Sequence, residues 1–176
     1  QLVVAGPVGR SGHAMAYDSQ RGRTVLFGGS NNISALADTW EWNGSVWQPQ
    51  LFGSVPAARA SHAMSYDSQR ARTVMFGGGG SSGFSDTNTW EWDGTNWSYT
   101  SNSGLAPLTS HTMAYDNSRG CTVLFGGYNA TGIVGDTWEL RNALGTSTTF
   151  GNGCGNPALL LNPAANTRPA IGSTAQ

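Results

Sequence analysis

The sequence predicts an all-β chain made of one small unit repeated three times, and three observations carry that reading. First, Ser11-Gly12-His13-Ala14-Met15-Ala16-Tyr17-Asp18 leads to Thr24-Val25-Leu26-Phe27-Gly28-Gly29 and then to Asp38-Thr39-Trp40-Glu41-Trp42. The run returns as Ser61-His62-Ala63-Met64-Ser65-Tyr66-Asp67, Thr73-Val74-Met75-Phe76-Gly77-Gly78 and Thr89-Trp90-Glu91-Trp92. A third copy reads Ser110-His111-Thr112-Met113-Ala114-Tyr115-Asp116, Thr122-Val123-Leu124-Phe125-Gly126-Gly127 and Asp136-Thr137-Trp138-Glu139-Leu140. A period of about 49 residues marks a supersecondary unit that cannot bury its own apolar face and must stack on its neighbours. Second, the apolar residues alternate, or run in short β-branched and aromatic stretches, which is strand spacing. Third, glycine supplies 25 of 176 residues, and Ser, Thr and Asn fill the gaps between apolar runs, as in a β protein with many turns.

Four strands follow in order within each unit. Residues 13–17 form the first, with His13, Met15 and Tyr17 on one face and Ala14 and Ala16 on the other. Residues 18–23 are a polar turn. Residues 24–27 form the second strand, a continuous apolar run suited to burial on both faces. Gly28-Gly29 ends it, because paired glycines allow positive φ and let a neighbouring group approach. A longer loop covers 30–37, and 39–42 form the third strand. Asn43-Gly44, repeated as Asp93-Gly94, is a two-residue hairpin signal, and the fourth strand contains Trp47 or its counterpart Trp97. In the third unit Leu140 replaces the second Trp, and residues 146–150 substitute for the fourth strand with a less well packed outer edge.

The Gly-Gly pair after the second strand, the aromatic before it and the spaced Trp residues resemble the kelch repeat, over about residues 7–150. The resemblance implies kelch-type β-propeller blades, each of four strands, with the first strand lining a central channel and Val25, Leu26, Phe27 and the Trp residues packed between blades. Residues 1–150 then make three four-stranded blades and 151–176 a Gly-, Cys- and Pro-rich tail. Closed propellers have about four to eight blades, so the ring is incomplete within one chain. An open stack leaves an apolar face at each end. Upstream blades of a longer chain, a second copy closing a six-bladed ring, or a head-to-tail fibre would each cover those faces. The tail resembles the start of a short Gly-Cys module found at the C-termini of secreted bacterial proteins.

Composition narrows the partners. Net charge is −1, only 11% of residues are charged, and all nine basic residues are arginine. No basic face is available to neutralise phosphates, which argues against nucleic acid. No apolar run reaches the ~18 residues of a membrane span. The first residues lack a signal peptide's charged start and long apolar stretch, and Gln1 is compatible with a processed end. A neutral, lysine-free, Ser/Thr/Asn-rich surface fits an extracellular, secreted protein. Asn32, Asn43, Asn96 and Asn129 stand in Asn-x-Ser/Thr triplets, which matter only in a glycosylating host.

Candidate chemistry is thin. His13, His62 and His111 recur at equal spacing, so three imidazoles on one ring could ligate a metal. The structural alternative, a ring nitrogen satisfying a buried backbone group, is preferred because no carboxylate stands behind them. Asp38, Asp86 and Asp136 precede the third strands and read as strand-start hydrogen-bonding groups. Glu41, Glu91 and Glu139 face away from the alternating Trp residues, and Arg21, Arg70 and Arg119 read as solvated turn residues. Galactose oxidase carries a kelch-type propeller, but its copper site needs a Cys-linked Tyr, and the two cysteines here sit in no such cluster. There is no nucleophile elbow, phosphate loop or zinc motif. Residues 77–80 are all glycine but follow a strand and open no helix, so they do not read as a phosphate loop.

The loops 30–37, 79–85 and 128–135 differ among copies and should share one face, where Ile33, Phe84, Tyr128 and Ile133 offer apolar contact to a protein or glycan. Cys121 stands where the other copies have Arg23 and Arg72, next to the tail that carries Cys154. A Cys121–Cys154 disulfide would staple the tail, two free thiols or pairing of Cys154 with another chain being the alternatives. The expectation is a non-catalytic extracellular module for binding or self-assembly, without cofactor or metal. The alternative is a fragment of a larger propeller enzyme or carbohydrate-binding protein whose active site lies outside this chain.

Overall fold

A computed structural model describes residues 6–51, 56–80, 83–84, 87–100, 104–143 and 146–151. Blade 1 is the sheet β1 (Ala14–Asp18), β2 (Arg23–Phe27), β3 (Thr39–Trp42) and β4 (Trp47–Gln50), antiparallel in chain order. Blade 2 is β5 (Ala60–Asp67), β6 (Arg72–Gly80), β8 (Thr89–Trp92) and β9 (Trp97–Thr100), with β7 (Gly83–Phe84) folded back on the end of β6. Blade 3 is β10 (Thr112–Asp116), β11 (Cys121–Phe125), β14 (Thr137–Ala143) and β15 (Thr146–Gly151), and β12 (Tyr128–Asn129) and β13 (Gly132–Ile133) form a separate ribbon. The chain is thus all-β, three propeller-type blades in series, and no ring closes among the described residues. In blade 1 the second and third strands fall at the expected residues to within one position, and the first starts one residue late. In blade 2 β5 starts early, at Ala60, and β6 runs through Gly77-Gly78 to Gly80, so there the glycine pair does not end the strand. The expected loop 79–85 is strand at its described residues, where β6 pairs with β7.

Register decides which residues meet. Met64 pairs with Met75, Met75 with Trp90, and Trp90 with Tyr99, so these four share one face of blade 2. Ser65, Val74 and Glu91 pair on the opposite face. The core therefore lies between blades. Ala16, Val25 and Phe27 of blade 1 pack against Met64, Met75, Trp90, Trp92 and Trp97 of blade 2. Val74 and Phe76 of blade 2 pack against Leu124 and Leu140 of blade 3, with Leu105 and Leu108 from the connecting segment. Leu140 fills the place of a Trp and is buried.

The β3–β4 turn corrects the two-residue reading. Trp42 pairs with Trp47, so four residues, 43–46, make the loop. The Asn43 side chain accepts from the N–H groups of Ser45 and Val46, an Asx turn that needs this length, and Gly44 follows it at φ 95°. Asp93 does the same for Thr95 and Asn96.

Candidate functional site

One clamp is written into every blade. Asp18 ends β1, and its carboxylate accepts from the N–H groups of Gln20 and Arg21, closing the turn. Arg21 then donates from Nε to Asp18 at 2.6 Å and from Nη2 to Glu41 on β3 at 2.7 Å. Arg70 joins Asp67 to Glu91, and Arg119 joins Asp116 to Glu139, in the same way. These turn arginines are partly solvated, as expected, with side chains 32%, 28% and 44% exposed, but each is also paired, because the first and third strands flank the second and bring two carboxylates to one guanidinium. Burial alone would raise the carboxyl pKa of Asp18 and Asp67. The turn N–H groups, a neighbouring tyrosine and the arginine more than offset it, and both are held below the usual carboxylate range.

A second pair went unforeseen. Arg10 grips Asp38 through both guanidinium nitrogens at 2.6 and 2.8 Å and also donates to the Gly28 carbonyl. Asp38 accepts in addition from Trp40 Nε1 at 2.7 Å. Asp38 does serve the start of β3, but through an arginine 28 residues away, a distance at which sequence gives no cue. Arg59, the counterpart of Arg10, is fully buried and donates to the Gly77 carbonyl. Asp86 lies outside the described residues.

Between blades the backbone itself is stitched. Gly29 N–H donates to the Arg59 carbonyl at 2.9 Å, and Gly78 N–H donates to the Leu108 carbonyl at 2.8 Å. Ser61 N–H donates to Gly12 and Ser110 N–H to Ser61, at 2.7 and 2.8 Å. The Gly-Gly pairs are needed here: Gly28 and Gly29 stand at φ 61° and 95°, and a Cβ would lie 2.6 Å from the Arg59 carbonyl oxygen or 2.8 Å from that of Ser11. Side chains add to the seam. Trp92 Nε1 of blade 2 donates to Glu41 of blade 1, and Trp97 Nε1 to Thr39, both at 2.9 Å.

The histidines belong to this seam. His62 sits edge-on to Phe27 with ring centres 5.6 Å apart, and His111 sits likewise against Phe76 at 5.7 Å. Burial pushes the His62 pKa down to about 3, helped by the charge of Arg59 and by the other two histidines, and that of His111 to about 4. The ring nitrogens were expected to satisfy buried backbone groups. Those of His62 and His111 approach the backbone of Phe27 and Phe76 on the neighbouring blade, close enough to counter part of the burial effect but short of strict hydrogen-bond geometry. The rings sit as neutral wedges in room the glycines leave: a Cβ at Gly28 would lie 3.2 Å from His62 Cε1, and one at Gly77 would lie 2.6 Å from His111 Cε1. No group of three or more His, Cys, Asp or Glu able to hold a metal occurs among the described residues.

The two ends of the stack differ sharply from its interior. Met64 is 6% exposed, whereas Met15, its counterpart in blade 1, is 50% exposed and the adjacent Tyr17 60%. Trp90, Trp92 and Trp97 are buried, whereas Trp40, Trp42 and Trp47 are half-buried. Phe27 and Phe76 are wholly buried, whereas Phe125 on blade 3 is 55% exposed and Ala114 beside it is exposed.

The loop residues singled out from the sequence fall as follows. Ile33 and Ile133 are each 91% exposed, and Tyr128 and Ile133 pair across the β12–β13 ribbon. Phe84 is placed on β7, opposite Gly79. The cavity lies elsewhere, at the first-hairpin ends of the inner strands β1, β5 and β10. Its volume is about 340 Å³, and its lining includes Tyr17, Tyr66, Tyr115, Ser19, Ser68 and Asn117, one Tyr and one short polar residue from each blade. Cys121 is buried at the start of β11, while Cys154 and the tail 152–176 lie outside the described residues. No helix among the described residues is long and apolar enough to cross a membrane.

No protein-family model and no curated protein matches this chain. Solved structures do. One, titled "Structure of YjhT", is similar over 82% of this chain at a TM-score of 0.65 and 17% identity. The match spans 46% of that chain, so the three blades correspond to just under half of a longer molecule. At this identity the likeness concerns the fold alone.

Proposed function

We propose that this chain is a non-catalytic, extracellular kelch-type propeller module that works by assembly, its end blades completing a ring or a fibre with further copies. The supporting observation is the contrast between ends and interior: Met15 and Phe125 stand half-exposed where their counterparts Met64, Phe27 and Phe76 are buried. Contiguous apolar surface of this kind is costly in water and is covered in stable assemblies. The carboxylates best placed for acid–base chemistry are spent on arginine clamps, which favours a structural over a catalytic role. The test is dilution of the 176-residue chain from micromolar to nanomolar while tryptophan emission is followed. Trp42 and Trp47 move from a covered to a wet environment on dissociation, so emission shifts to longer wavelength. A spectrum and mass that never change with concentration, at the monomer value, would end the reading.

The cavity supports a second reading, a binding module for a neutral polar ligand such as a glycan. Tyrosine faces with Ser and Asn at their rim suit sugar rings. Titration with neutral oligosaccharides should then quench tyrosine and tryptophan emission, and Tyr66→Ala should abolish the effect. Saturation that is unchanged in Tyr66→Ala would exclude this cavity.

A further inference from the structure

The two end faces are not merely apolar; each carries one half of the seam between blades 1 and 2, whose backbone pair and Tyr–Asp contact recur between blades 2 and 3. At the first seam, blade 1 contributes Phe27, Glu41, Thr39, Asp18, the Gly29 N–H and the Gly12 carbonyl. Blade 2 answers with Trp97, Trp92, Tyr66, the Arg59 carbonyl and the Ser61 N–H. Tyr66 lies close enough to Asp18 to help hold that carboxyl pKa down, and burial and Asp18 push its own up to about 12, although the hydroxyl falls short of hydrogen-bond geometry. The second seam repeats the backbone pair, through Gly78 to Leu108 and Ser110 to Ser61, and sets Tyr115 beside Asp67.

The outer face of blade 3 presents the first half again: Phe125, Glu139, Thr137, Asp116, the Gly127 N–H and the Ser110 carbonyl. The outer face of blade 1 presents the second half: Trp47, Trp42, Tyr17, the Arg10 carbonyl and the Gly12 N–H. We propose that a second copy of this chain docks head to tail on blade 3 in the register of the interior seams. Trp42 then donates to Glu139, Trp47 donates to Thr137, Tyr17 lies beside Asp116, and Gly127 N–H donates to the Arg10 carbonyl. This inference rests on the assembly reading and adds to it polarity, register and named contacts. A heterologous contact of this kind uses both ends of every copy, so it closes a ring or runs on as a fibre according to the rotation at the seam.

Two variants separate the polarity from the assembly. Met15→Glu and Phe125→Glu change exposed residues on opposite ends, and circular dichroism confirms that each folds. Docked head to tail, either variant alone buries an unpaired carboxylate at every contact, and association measured by light scattering weakens by a hundredfold or more, on the order expected for that cost. Mixed together, the intact tail of Met15→Glu meets the intact head of Phe125→Glu, and a 1:1 complex with a single contact forms. Its tryptophan emission shifts to shorter wavelength as the head face is covered. Unchanged association of either variant alone would mean like-to-like pairing and overturn the proposal while leaving assembly intact. Loss in both variants without recovery on mixing overturns it in the same way. A wild-type chain that stays monomeric removes the assembly reading itself, and the end faces then belong to blades of a longer protein.

Discussion

Arg70 and Arg119 perform the same task at different depths, and depth sets what each is worth. The Arg70 side chain is 28% exposed and its partners Asp67 and Glu91 are buried, whereas Arg119 is 44% exposed and its partner Asp116 31% exposed. Removing one partner of a buried pair strands the other charge, so Arg70→Ala should cost on the order of 3 kcal/mol. Arg119→Ala, at a solvated clamp, should cost less than about 1 kcal/mol. Urea midpoints of the two variants check this, and equal losses would show that depth does not govern the clamp. Trp90 packs in the seam between blades 1 and 2, and Trp90→Ala should cost ~3–5 kcal/mol, the range for deleting a buried large aromatic. A loss below about 1 kcal/mol would place Trp90 outside the core. The histidines set the pH response. Their folded pKa values, about 3 for His62 and about 4 for His111, lie below the ordinary 6.5. The unfolded chain therefore binds protons first, and stability is full above pH 6.5 and falls as the pH drops toward 4. His62→Gln, which cannot titrate, should flatten that slope in denaturation midpoints taken across the range. An unchanged slope would show that His62 does not drive it.

At the scale of the blade, the strands were legible in the sequence because each has a strand's own chemistry. Residues 24–27 are β-branched and aromatic, Gly28-Gly29 stops them, and the alternation Trp40-Glu41-Trp42 sends indoles to one face and a carboxylate to the other. What lay hidden depends on register. Arg21 meets Glu41 only because β1 and β3 flank β2, and Arg10 meets Asp38 only because the loop after Gly29 folds back beside the entry to β1. The four-residue turn after Trp42 is hidden for a related reason: the Asn-Gly pair is the same in short and long turns, and the pairing of Trp42 with Trp47 decides between them. The Gly-Gly pair is legible as a place of close approach, but one partner, the carbonyl of the next blade, belongs to a different unit. Gly78 stands at φ 89° with the Ala60 carbonyl oxygen 2.8 Å from a Cβ position. Gly78→Ala should therefore cost at least ~1–3 kcal/mol from backbone strain alone and loosen the seam to Leu108. Hydrogen exchange at the Gly78 amide reads that loosening directly, and undiminished protection would contradict it.

At the scale of the molecule, three blades stacked in series put the hydrophobic core between units, so the stack has two unfinished surfaces wherever it stops. Sequence repetition made the number of blades plain. It could not display which atoms each end would offer, because those emerge only when the interior seams and the outer faces are compared residue by residue. The tail stands apart from this account: Cys154 lies outside the described residues, and mass spectrometry of the unreduced digest should find it joined to Cys121 if the tail is stapled to blade 3. Alkylation of both thiols without reductant would exclude the staple. The central claim, that the end faces of this chain are made for one another, is tested most directly by sedimentation equilibrium of the wild-type chain over a range of concentrations. Assembly predicts a weight-average mass that climbs from the single-chain value of 18.4 kDa to at least twice that at micromolar concentration. A folded chain that holds at 18.4 kDa throughout would contradict it.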